Sequence, residues 1–140
     1  MARTPEQRSW DTFGESLDPR NVLAIRVENL IGNGTPDVIC KNSHGTVFWI
    51  ENKALHEWPK RQATLPLRSA FERGQLSFAR QWKFRNGFSF VLLRVDEEYY
   101  LLDPDDNLPE MTRFDIIDHA MVWGKNSIIK YLEDLKQDED

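Results

Sequence analysis

The sequence predicts an α/β protein, a mixed sheet of about five strands flanked by helices, and three observations point to it. An amphipathic stripe opens the chain. Short runs of branched and aromatic residues follow, separated by Gly/Asn turns, and helical periodicity returns in the middle and at the end. With 140 residues, 40% of them hydrophobic, the chain is sized for one domain with one packed interior. Residues 1–122 are expected to form its core and 123–140 a C-terminal helix with an acidic tail.

Thr4, Pro5 and Gln7 form a helix-start signal: an N-cap hydroxyl, a proline where no N–H is needed, and an amide placed to reach back in a capping box. That helix is expected to run to about residue 17, before Asp18 and Pro19 break it. When residues advance by about 100° each, Glu6, Trp10, Phe13 and Leu17 share one stripe and Glu15 lies opposite. Residues 22–28 read as a strand, Gly32, Asn33 and Gly34 as a hairpin turn, and 37–41 as the partner strand. A third strand is expected over 46–53, then an irregular stretch over 54–68 containing Pro59 and Pro66. A helix over 69–86 closes at Gly87 and leads into a strand pair, 88–95 and 99–102, with helical patterns at 114–121 and 127–135 after it. Residues from 137 onward read as a frayed acidic end.

No apolar run approaches the roughly 18 residues that a membrane span requires, and no secretory signal is visible at the start. Cys40 is the only cysteine, which excludes an intrachain disulfide and leaves an intracellular location as the expectation. The formal charge of −5 argues against a uniformly basic nucleic-acid binder, but the charges are segregated. Residues 1–52 carry −2, residues 53–95 carry +7 and residues 96–140 carry −10. A basic middle segment suits a polyanionic substrate, since phosphate contacts dominate nucleic-acid affinity. Its plainer reading is a solvated basic helix face that pairs with the acidic tail.

The chemistry concentrates on Asp37, Glu51 and Lys53, which form a Pro-Asp pair, a step of fourteen residues, and a Glu-x-Lys. Side chains alternate along a strand, so Glu51 and Lys53 share a face and Asn52 points away. Asp37, at the start of the neighbouring strand, can reach the same place across the ladder. Two carboxylates bind a hard cation through oxygen, and magnesium takes one or two such ligands plus water and substrate phosphate. The backbone carbonyl of Asn52 is a further candidate ligand. Lys53 can orient a water or stabilise charge on a phosphate in flight. The plainer alternative is a surface ion pair on adjacent strands.

This layout resembles the PD-(D/E)XK nuclease superfamily. Gly34-Thr35-Pro36-Asp37, then Trp49-Ile50-Glu51-Asn52-Lys53, then Gln75 opening a helix that closes at Gly87 before an apolar strand, are similar to its virus-type replication-repair (VRR-NUC) branch. The order is also similar to archaeal Holliday junction resolvases, and the likeness covers roughly residues 6–102. It implies a restriction-endonuclease-like core and cleavage of DNA with magnesium, for which manganese substitutes. It further implies branched or junction DNA as substrate, a homodimer, and a phage type of protein that works inside the host cell. Asp37 and Glu51 match the metal-binding acids, Lys53 the motif lysine, Gln75 the glutamine of the following helix, and Glu6 the first-helix glutamate of some families. Gln75 shares a helical face with Phe71, Phe78, Ala79 and Trp82, which favours an inward position over a core-edge amide. Glu6 is preferred to Glu15 because it lies on the apolar stripe, although an acid in a first helical turn is also favourable in itself. Two departures stand out: Asn52 replaces the branched apolar residue common between Glu and Lys, and a lengthy insertion separates Lys53 from Gln75.

Lys60, Arg61, Arg68 and Arg73, in or beside the irregular stretch, are the candidate phosphate contacts. Trp58 can stack on a base or cover the core. His44, His56 and His119 lack zinc-ligand spacing, and residues 103–107 lack the glycine and glutamate of a calcium loop. The expected activity is metal-dependent cleavage of branched DNA. Its rivals are a less selective nuclease of the same fold and a fold that has lost catalysis and only binds DNA or builds an assembly.

Overall fold

Thr4 caps the first helix as its sequence predicts: its hydroxyl accepts the Gln7 N–H and the Gln7 side chain accepts the Thr4 N–H. In a computed structural model of the protein, residues 4–27, 34 and 36–137 are described. Helix α1 (Pro5–Glu15) stops two residues short of Leu17 and buries Ser9, Trp10 and Phe13. Four strands and a second helix follow: β1 (Val22–Arg26), β2 (Val38–Asn42), β3 (Val47–Leu55), α2 (Gln75–Phe84) and β4 (Phe88–Val95). The chain continues as β5 (Glu98–Leu102), α3 (Arg113–His119), β6 (Val122–Trp123) and α4 (Lys125–Asp134). Gly32 and Asn33 of the expected hairpin turn lie outside the described residues.

Among the described residues six strands lie in the order β1-β2-β3-β4-β5-β6, one strand more than expected. That strand, β6, is two residues long, too short to leave a period-two pattern. All neighbours are antiparallel except β3 and β4, which α2 joins by a crossover. The predicted helix over 69–86 is also shorter than expected. Gly74, with φ of 90°, sets its start, and residues 69–73 turn back towards the sheet.

The two faces of the sheet are covered differently. Phe48, Ile50, Phe90, Leu92, Tyr99 and Leu101 pack with α1 and α4, and α4 supplies Ile128 and Leu132 to this main core. The helix that the sequence places beyond a 1–122 core is therefore packed into it. The opposite face, with Val91, Leu93, Tyr100 and Leu102, is covered by the 56–73 segment and α3. Fully burying a side chain such as Phe13 or Leu101 stabilises the fold by roughly 1.5–3 kcal/mol. Among the described residues, no helix is long and apolar enough to cross a membrane. Burial pushes the Cys40 thiol up to about 12, which leaves it un-ionised and inert.

Candidate active site

Strand β3 places Trp49, Glu51 and Lys53 on one face and Phe48, Ile50 and Asn52 on the other. Its pairing with β2 ends where Val38 faces Ile50, so the N–H of Asn52 lies beyond the ladder. The carboxylate of Asp37 takes that vacant role, its Oδ2 accepting the Asn52 N–H at 2.8 Å. The strand end thus locks Asp37 beside Glu51. Asn52 contributes through its backbone alone, because its side chain is buried on the other face with neither amide atom hydrogen-bonded.

Gln75 is the joint of the site. Its Nε2 donates to Glu51 Oε2 at 3.0 Å, while its Oε1 accepts from Lys53 Nζ at 3.0 Å and from the Glu72 N–H at 2.8 Å. Lys53 Nζ also donates to the carbonyl oxygen of Ala70 at 2.6 Å and lies 3.2 Å from Glu51 Oε2. Its three N–H groups therefore have three acceptors. The Phe71 ring lies 4.9 Å below the ammonium and adds a cation–π contact. The role of Ala70 left no trace in the sequence, since any residue type carries a carbonyl.

A second device brings these parts together. Gly34, before Pro36-Asp37, and Gly74, before Gln75, approach so closely that a Cβ on Gly34 would lie 3.0 Å from the Gly74 carbonyl carbon. Both have positive φ, 88° and 90°. The close approach ties the segment bearing Asp37 to the helix bearing Gln75. The sequence shows a glycine in a turn but not its distant partner.

Electrostatics make Glu51 the unusual member. Burial pushes its carboxyl up to about 8, the negative charge of Asp37 adds to the rise, and Lys53 opposes it. Its Oε1 is buried with no donor in reach, and the carboxyl, when it holds its proton, hydrogen-bonds to the facing Asp37. Two facing carboxyls with no donor between them share a proton when empty, and the same oxygens suit a divalent cation in its place. Among the described residues no group of three or more acidic, His or Cys side chains gathers, so water and substrate oxygens would complete the shell of an ion held there. Glu6 is half-buried on α1 and is not part of such a group.

Lys60, Arg61, Arg68 and Arg73 are all exposed, along the segment that leaves β3 beyond Lys53. The basic residues of α2 behave differently: Arg80 pairs with Asp106 and Lys83 with Asp103. The plainer reading of the positive charge pairs a helix face with the acidic tail; the acids that meet α2 are instead Asp103 and Asp106, in the loop after β5. Among the described residues, the four cations of the segment beyond Lys53 have no acidic partner. Trp58 is half-buried, its ring 5.7 Å from that of Tyr100. His44 and His56 are exposed in turns, and His119 Nε2 lies 3.2 Å from the Asp103 carbonyl oxygen.

No family model matches the chain, and comparison with curated protein sequences gives no match either. Solved structures do resemble it. Hjc, a Holliday junction resolvase from the archaeal hyperthermophile Archaeoglobus fulgidus, superposes with a TM-score of 0.51 at 14% identity, covering 91% of this chain and 97% of that one. A structure described as a VRR_NUC domain gives 0.48 at 16% identity, covering 68% of this chain and 89% of that one. The likeness to the resolvase shows the fold: the α/β architecture, a mixed sheet flanked by helices with six strands and four α-helices among the described residues, is restriction-endonuclease-like.

Proposed function

We propose that the protein is a divalent-metal-dependent endodeoxyribonuclease that hydrolyses phosphodiester bonds in branched DNA. The observation that carries this is the buried Glu51 carboxyl, its Oε1 reached by no donor, facing the Asp37 carboxylate, with Lys53 and Gln75 fixed around it. Asp37 and Glu51 would hold magnesium, or manganese in its place, with the Asn52 carbonyl as a further ligand. When bound, the ion supplies a water of lowered pKa and offsets charge on the scissile phosphate.

The chain's own groups do the rest. Gln75 holds Glu51 Oε2 so that Oε1 stays turned away from Lys53. Lys53 neutralises the charge that grows in transfer, once it exchanges one acceptor for a phosphate oxygen. Glu6 is a candidate for orienting the water from α1. Lys60, Arg61, Arg68 and Arg73 contact flanking phosphates. The preference for a junction draws its support from the resolvase of shared fold, and a homodimer would give two sites for a two-fold symmetric junction.

The test is incubation of the purified protein with labelled four-way junction, duplex and single strands in magnesium. Preferential cutting of the junction is expected, with 5′-phosphate ends. Equal cutting of all three would replace junction selectivity with a less selective nuclease. One observation favours a DNA-binding or assembly role without catalysis: every N–H of Lys53 is engaged within the protein. Binding to DNA without any cleavage in magnesium or manganese would establish that alternative.

A further inference from the structure

We propose that the pocket between the 56–73 segment and α3 is a stacking site for an unpaired nucleotide next to the scissile phosphate; this rests on the nuclease reading. The pocket is open, encloses about 470 Å³ and is lined by Pro59, Lys60, Gln62, Arg113, Phe114 and Ile117. That volume lies within the roughly 300–1,000 Å³ of small-ligand sites. Phe114 is 77% exposed, which gives its ring no role in the core.

Position connects the pocket to the chemistry. Lys53 faces Leu93 on β4, and Leu93 faces Tyr100 on β5, so all three side chains share one face of the sheet. Two interstrand steps place Tyr100 about 10 Å from Lys53. Trp58 packs on Tyr100, and the Arg113 guanidinium lies over Trp58 at 5.2 Å, which aims the cation along the rim. A strand crossing the site would reach the pocket within a few nucleotides.

The lining fits a nucleotide rather than a peptide or a lipid. Lys60 and Arg113 are cations, Gln62 offers a donor and an acceptor to a base edge, and no lining residue is acidic. Asp115, next to Phe114 in sequence, accepts the Thr112 N–H in a helix cap. A base stacked on Phe114 would leave its phosphates to Lys60 and Arg113. Paired bases cannot present a face this way. The pocket therefore selects frayed or branched positions, where a base is already out of the stack.

The experiment is fluorescence anisotropy with a labelled oligothymidylate in EDTA, where cleavage cannot intervene. Phe114→Ala is expected to weaken binding by roughly 5- to 150-fold. Phe114→Trp should restore it, and Lys60→Ala should lower the salt slope by about 1. A single abasic residue scanned along the oligonucleotide should weaken wild type at one position and leave Phe114→Ala unaffected there. Equal affinity of wild type and Phe114→Ala, or equal competition by a polyglutamate peptide, would overturn the pocket. Phe114-dependent binding by a protein that cuts no DNA would instead remove the nuclease reading and leave the pocket standing.

Discussion

Replacing Glu51 by Gln should stabilise the metal-free protein while abolishing cleavage. In the folded chain, burial and the facing Asp37 push the Glu51 carboxyl from 4.5 up to about 8. The folded state then holds a proton that the unfolded state releases near its ordinary value. For an acid shifted upward, stability is fully present below about 4.5 and is lost progressively as pH rises towards 8. At pH 7 the loss from this one group is on the order of 3 kcal/mol, at about 1.4 kcal/mol per pH unit between the two values. Gln keeps the shape, can accept from Gln75 Nε2 and Lys53 Nζ, and carries no charge to bury. Urea unfolding in EDTA at pH 5, 7 and 9 measures the difference between the two proteins. The variant's advantage should grow with pH up to about 8 and then level off, and magnesium should shrink it by stabilising wild type alone. A variant less stable than wild type by the same amount at every pH would refute the electrostatic reasoning.

Other changes test other parts of the structure. Asp37→Ala removes one of the two carboxylates and should reduce cleavage by roughly 10²–10³-fold or more in magnesium, read from single-turnover rates on a junction. Gly34→Ala forces a Cβ against Gly74 at a positive φ, so a loss of stability of about 1–3 kcal/mol and a fall in activity are expected together, by urea unfolding and cleavage assay. Asp103→Asn combined with Asp106→Asn frees Lys83 and Arg80 and should tighten duplex DNA binding at low salt, with the gain vanishing near 0.5 M salt. Phe13→Ala empties a fully buried site between α1 and the sheet and should lower stability by about 3–5 kcal/mol in urea titrations.

The sequence by itself determined the elements with strong local causes. The Thr4 capping box, the alternation that puts Glu51 and Lys53 on one face, and the branched runs of β3 and β4 follow from interactions a few residues apart. It also marked Asp37, Glu51 and Lys53 as candidates, although a surface ion pair on adjacent strands would leave the same residues at the same spacing. Tertiary structure decided what depends on distant partners. The start of α2 is set by Gly74 meeting Gly34, β6 exists only because β5 offers it an edge, and α4 joins the core because Ile128 and Leu132 reach the sheet. The fate of the positive charge was decided in the same way: the acidic loop pairs with α2, and among the described residues the cations of the 56–73 segment meet no acid. The site shows the same division. The sequence motif names Asp37, Glu51, Lys53 and Gln75, but the buried Oε1 of Glu51 and the saturated Lys53 exist only where separate segments meet.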